Sequence, residues 1–215
     1  SHMIRTRDIA TGGIVAVLAI ASAVYASQLP SELAVQFDSA GEPNNFVQAE
    51  LFLAGSVLLA AGVAVLFAVL PRVDPLGENV AEFQTAYDGF AVATVAFLGY
   101  VHGLVIAYNL GYEFGVIEAT VPATAALYLL LGPLLYRAEQ NWFVGIRTPW
   151  TLSDERVWRQ THRHTAPLFV LAGLLALGGV LAPEYAVVLL TVPPTVIAVG
   201  SVLYSFVLYR RFDPA

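Results

Sequence analysis

Six long apolar runs separated by short polar stretches set the pattern of this chain: residues 9–26, then about 50–70, 89–110, 116–135, 167–182 and 185–208. A bilayer-spanning helix needs roughly 20 mostly apolar residues, so the pattern predicts six spans. The fifth run is short and only Pro183 and Glu184 part it from the sixth, which predicts a tight helical hairpin. The first run, behind Arg5 and Arg7, also has the small residues of a cleavable signal segment at Ala21, Ser22 and Ala23. Five more runs behind it favour a first span instead. The predicted fold class is all-α: a polytopic bundle of six transmembrane helices with a short irregular outer loop.

Composition agrees with this pattern. Charged residues make up 12% of the 215 residues and hydrophobic ones 58%, with a mean hydropathy of +0.70, against about 25% charged in soluble domains. The basic residues, all arginine, sort by segment. Arg5 and Arg7 precede the first span, Arg72 follows the second, and Arg137, Arg147, Arg156, Arg159 and Arg163 lie between the fourth span and the fifth. Arg210 and Arg211 end the sixth span. The other three loops carry only acids: Glu32, Asp38, Glu42, Glu113 and Glu184. Because basic residues are retained on the cytoplasmic side, both termini are predicted to be cytoplasmic. This divides the chain into Ser1–Met3, which reads as a vector scar, a first helical hairpin at 4–70 with an outer loop at 27–48, and a four-helix region at 71–215 with an inner loop at 136–166. The absence of cysteine excludes disulfides, thiolate catalysis and cysteine-ligated metal. A net charge of −6 without a basic stripe points away from direct nucleic-acid binding.

Polar groups inside spans are expensive and usually face the bundle interior. His102 lies near mid-depth of the third span, Asn109 follows on its face, and Gly99 and Gly103 flank the histidine at small-xxx-small spacing. The pair reads either as a ligand-contacting polar pocket or as a neutral histidine hydrogen-bonded across packed helices. In the sixth span Pro193 and Pro194 predict a kink whose freed carbonyls Thr191 or Thr195 could satisfy. In the first outer loop Pro30, Gly41 and Pro43 punctuate a stretch where Leu33, Val35 and Phe37 alternate with polar residues, predicting a short extended segment and a turn. Pro30, Phe37, Gly41 and Pro43 are its ligand candidates; a plain linker is the alternative. The acidic loop at 71–88 is a counterpart to the arginine-rich one, which reads either as an ion-pair network between them or as two independently solvated loops.

The densest chemistry runs from Asn141 to Arg163, which holds all three tryptophans. Gly145 and the residue before Pro149 break any regular helix. Thr151 or Ser153 offers a cap for a helix whose first turn carries Asp154 and Glu155, with Arg159 and Arg163 towards its end. Trp142, Trp150 and Trp158 are expected at the headgroup level. The segment is then expected to lie on the inner membrane surface until the chain turns into the fifth span near Pro167. Composition alone also fits an interfacial anchor on membrane lipids.

The order of these residues resembles a known family. Asn141, Gly145, Ile146, Arg147, Thr148, Pro149, Trp150, Thr151, Leu152, Ser153, Asp154, Glu155, Trp158, Thr161, His162 and Arg163 resemble the signature of the SdpI family of bacteriocin-immunity membrane proteins. The outer loop resembles the small domain of unknown function near that family's N-terminus. It departs from that pattern at Gln36, where histidine is common, and at Asn44, where aspartate is common, so an outer metal site is not expected. The resemblance implies a multi-pass plasma-membrane protein that neutralises a secreted peptide toxin, and in some members a relay to a cytoplasmic repressor. It implies Asn141, Gly145, Arg147, Thr148, Pro149, Trp150, Thr151, Asp154, Trp158 and His162 as the inner functional motif. No catalytic residue, cofactor or metal follows from it. A small-solute transporter built around His102 and Asn109 is the alternative, although no inverted repeat supports one. An intramembrane enzyme lacks a nucleophile motif, and His162 with His164 lacks a third metal ligand at a telling spacing.

Overall fold

The computed structural model describes residues 5–212; the segment Ser1–Met3 lies outside them. Helix α1 (Thr6–Tyr25) leads through a 3-10 turn into strands β1 (Glu32–Phe37) and β2 (Pro43–Gln48). Then follow α2 (Ala49–Val73), the short α3 (Gly77–Val80), α4 (Gln84–Asn109), α5 (Val116–Arg137), the short α6 (Pro149–Ser153), α7 (Glu155–Leu181) and α8 (Ala186–Phe212). Six of these helices, with their flanking turns, are long and apolar enough to cross a membrane. Large apolar side chains left bare, among them Leu58 at 70%, Val196 at 63% and Leu181 at 90% exposure, are what a lipid-facing surface requires, since hydrocarbon solvates them as well as a protein core does.

Two compact units make up the chain. One is built from the chain up to Ala68 together with Ala91–Ala123, the other from Val69–Phe90 together with Thr124 onward.

In the first unit the outer loop is regular, not irregular. β1 and β2 pair antiparallel from Glu32↔Gln48 to Phe37↔Pro43, with bulges around Gln36, and Gly41 takes a positive φ of 83° in the turn. The hairpin is fixed by one side chain: Asn109, at the end of α4, accepts from Ala34 N at 2.9 Å and donates to Ala34 O at 3.0 Å. The side-chain amide thereby completes the edge of β1 as another strand would, and Leu33 beside it is fully buried. Seven residues earlier, His102 is buried and serves a separate purpose. Its Nδ1 lies 2.7 Å from Ser56 Oγ and its Nε2 3.1 Å from Ser22 Oγ, while Phe52 stacks on its ring. Ser56 gives its own hydrogen to Phe52 O at 2.7 Å, so it accepts from Nδ1–H and Ser22 donates to Nε2. His102 therefore ties α1 and α2 to α4, and it shares no polar pocket with Asn109. Of the two flanking glycines only Gly99 marks a close helix approach: a Cβ there would stand 3.0 Å from Leu18 Cδ1, whereas one at Gly103 would meet nothing.

In the second unit α7 and α8 form the expected hairpin around a 3-10 turn at Pro183–Tyr185. Both prolines lie inside a continuous α8. Thr191 and Thr195 return their hydroxyls to Val187 O and Thr191 O. The carbonyl four residues before Pro194, that of Leu190, is met instead by the hydroxyl of Tyr128 from α5 at 2.8 Å.

Candidate functional site

Asn141 starts the Asn141–Arg163 stretch and organises it. Its buried amide accepts from Phe143 N at 3.0 Å and Val144 N at 2.6 Å, and donates to Glu139 O and Val144 O, both at 2.9 Å. All the bonding capacity of the side chain goes into folding four residues of loop. Gly145 then turns at φ 122°. A Cβ at this position would run into His162 Nε2 and stand 3.1–3.2 Å from the Trp158 ring, so conformation and space both demand glycine. The next amide, Ile146 N–H, donates to His162 Nε2 at 2.9 Å. Because Nε2 accepts, Nδ1 carries the proton and donates to Trp158 O at 2.8 Å. Trp158 stacks on the same imidazole, 4.0 Å between centroids, and donates Nε1–H to Ala138 O just past the end of α5.

The next turn is closed by two threonines. Thr148 caps α6 through Thr151 N at 3.1 Å, and Thr151 Oγ1 accepts from Thr148 N at 2.9 Å, a reciprocal box in which threonine does what glutamate usually does. Pro149 occupies the first helical position, where its missing N–H costs nothing. Thr148 Oγ1 also meets Ser205 Oγ of α8 at 3.0 Å, and Trp150 packs on Phe206. Asp154, not Thr151 or Ser153, caps α7, accepting from Arg156 N at 2.8 Å. The side-chain hydrogen bond from Arg156, 2.7 Å to Asp154 Oδ2, holds the Asp154 carboxyl below the usual carboxylate range. Glu155 and Arg159 form the expected i,i+4 ion pair.

Three expectations change here. The helix does not turn near Pro167, which lies inside a continuous α7: the packing of Trp158, Thr161 and His162 against the loop fixes the helix direction a full turn before the proline. Trp158 is 1% exposed, a core anchor and not a headgroup-level ring, because its N–H is spent on a carbonyl inside the protein. The acidic loop does touch the arginine-rich one, but through backbone hydrogen bonds. Asp74 Oδ2 accepts from Trp142 N at 2.9 Å and Asn79 Nδ2 donates to Gln140 O at 2.7 Å.

Several working residues carried no sequence signal. Gln140 closes the C-terminus of α6 by donating to Thr151 O and Leu152 O at 2.8 and 3.0 Å, and Asp74, Asn79 and Ser205 act at a distance in sequence that spacing cannot show. Nothing in the structure explains why the buried Thr161 hydroxyl has no hydrogen-bond partner among the described residues. What the folded loop leaves open to its surroundings is Trp142 at 49% exposure, Phe143 at 37%, and Arg147, whose guanidinium reaches only Phe143 O, at 3.3 Å, among the described residues. His162 and His164 have separate partners, the latter meeting Tyr204 OH at 2.6 Å.

Residues 137–205, which contain this loop and its α7–α8 support, match the SdpI/YfhL protein family. Over these residues the chain is similar to the SdpI family. Immunity protein SdpI of Bacillus subtilis (strain 168) is 32% identical over 107 residues, 49% of this chain and 51% of that protein. The chain thus spans about half the length of the curated relative it matches. No solved structure matches. With six helices able to cross the bilayer, the chain carrying this SdpI region is a multi-pass plasma-membrane protein.

The second candidate surface lies at the hairpin. A cavity of about 550 Å³ opens between the β1–β2 turn and the α4–α5 connection. Its walls include Glu42, Glu113 and Glu118 beside Tyr108, Tyr112 and Phe114. Phe37 packs edge-on against Tyr108 at 4.8 Å and Gly41 lies on the rim. Pro30 lines a separate cavity at the base of the hairpin, and Pro43 starts β2. The three glutamates have no cationic partner among the described residues, and no lysine or arginine occurs in 26–50 or 108–118.

Proposed function

We propose that this protein is an immunity protein, oriented with both termini in the cytoplasm, that protects its cell by capturing a secreted cationic amphipathic peptide at the hairpin cavity. Two observations carry the reading: residues 137–205 match the SdpI/YfhL protein family, and a relative named for immunity is 32% identical over 107 residues. Orientation rests on the arginines, all of which lie near the two termini or around one set of alternate connections. The ligand class rests on the cavity: unpaired carboxylates beside exposed aromatic faces suit an ammonium or guanidinium group, which gains from both. Capture involves binding and no covalent chemistry. Where a relay to a cytoplasmic repressor exists, Trp142, Phe143 and Arg147 are the groups the folded loop offers to it.

The test is expression in toxin-sensitive cells challenged with a panel of secreted peptides. Survival against at least one cationic peptide supports the reading, and sensitivity to the whole panel at verified membrane levels contradicts it.

A further inference from the structure

We propose that the crevice between α7 and α8 binds one anionic phospholipid, its acyl chain along the crevice and its phosphate at the arginine-rich end. The crevice, about 500 Å³, is walled by His164 and Leu168 of α7 and by Val196, Ile197, Gly200 and Tyr204 of α8. Both helices are membrane-spanning segments, so hydrocarbon and not water fills an open apolar gap between them. Its depth comes from a missing side chain: a Cβ at Gly200 would meet nothing within 4 Å. Such a gap admits a hydrocarbon chain but not a second helix, whose diameter with side chains is about 10–12 Å. From Val196 to Tyr204 the crevice follows about 12 Å of helix axis, close to one leaflet of a hydrocarbon core of about 30 Å.

The two ends differ in chemistry. At the Tyr204 end, His164 Nδ1 and Tyr204 OH are hydrogen-bonded to each other, and the imidazole's other nitrogen has no partner among the described residues. Arg211 lies seven residues beyond Tyr204, on the same face of α8, and Arg163 adjoins His164 in sequence. Both arginines are exposed, and neither is ion-paired among the described residues. Among the described residues, Asp154 is committed to Arg156 and Glu155 to Arg159. Acyl-sized walls capped by unpaired cations and hydrogen-bonding groups suit a lipid whose phosphate is not neutralised by its own headgroup, as in phosphatidylglycerol.

The full chain is reconstituted with spin-labelled phosphatidylglycerol or phosphatidylcholine, and the motionally restricted lipid fraction is read by electron paramagnetic resonance. The expected result is a restricted phosphatidylglycerol component at least about 3-fold above that of phosphatidylcholine. Gly200→Leu, which fills the gap, is expected to abolish it, and free glycerol phosphate is expected not to compete. Arg211→Gln with Arg163→Gln, two exposed residues outside the crevice lining, is expected to erase the preference while keeping the acyl chain bound. Equal retention of the two lipids by wild type overturns the proposal. So does unchanged phosphatidylglycerol retention in Gly200→Leu, or a wild-type dimer that Gly200→Leu converts to monomer without altering bound lipid.

Discussion

The backbone N–H of Ile146 donates to Nε2 of His162 at 2.9 Å, joining the arginine-side loop to α7 across 16 residues of chain. The contact sets the histidine tautomer, and with the Trp158 stack it explains why Gly145 has no side chain. The loop is thus a folded element held from within, and Arg147, Trp142 and Phe143 are presented on it as fixed groups.

Gly145→Ala is expected to destabilise the protein by about 1–3 kcal/mol from backbone conformation alone, with the collision against His162 in addition. Thermal unfolding in detergent measures this. Shortening the collision partner in Gly145→Ala/His162→Ala is not expected to restore stability, because Ile146 N–H then has no acceptor, a loss of about 1–3 kcal/mol.

Tyr128→Phe leaves the Leu190 carbonyl, freed by Pro194, without its donor. The expected cost is about 0.5–2 kcal/mol. In a Pro194→Ala background the helix supplies its own N–H to that carbonyl, so the same change is expected to cost less. A double-mutant cycle on unfolding midpoints reads the difference; identical costs in both backgrounds contradict the pairing.

Asp154→Ala removes the cap of α7 and is expected to cost about 1 kcal/mol. The folded-state pKa of Asp154 lies below its ordinary value. Its contribution is therefore complete above the ordinary carboxylate range and is lost as pH falls through the lowered folded pKa. Wild type and Asp154→Ala should accordingly converge in stability only in acid.

Much of this architecture was legible in the sequence because it is written in local patterns. Six apolar runs, the Pro183 hairpin, the Glu155–Arg159 pair and the SdpI signature are all readable within a few turns. What was not legible depends on partners far apart in sequence. Trp158 has the composition of a headgroup anchor until Ala138 O and His162 are placed beside it. Asn109 resembles an intramembrane polar group until Ala34 arrives from the hairpin. Pro194 predicts a freed carbonyl, but only the fold supplies Tyr128. Pro167 reads as the point where the chain turns into the fifth span because local propensity favours a break there, and packing of the preceding three turns overrides it.

Arg147→Lys is expected to leave the unfolding midpoint almost unchanged, since the guanidinium is exposed and bonded only to a carbonyl. Protection at matched membrane levels is expected to fall, because an ammonium cannot reproduce the planar fork. Full protection by the variant would make Arg147 a replaceable surface charge.

In the proposed capture a cationic peptide is held at Glu42, Glu113 and Glu118. The direct measurement is binding of a protecting peptide to purified protein in uncharged nanodiscs, comparing wild type with Glu42→Gln/Glu113→Gln/Glu118→Gln at low and high salt. Binding is expected to be at least about 10-fold weaker in the triple variant, with a salt dependence that wild type shows and the variant loses. Equal affinity and equal salt dependence in the two proteins would contradict it.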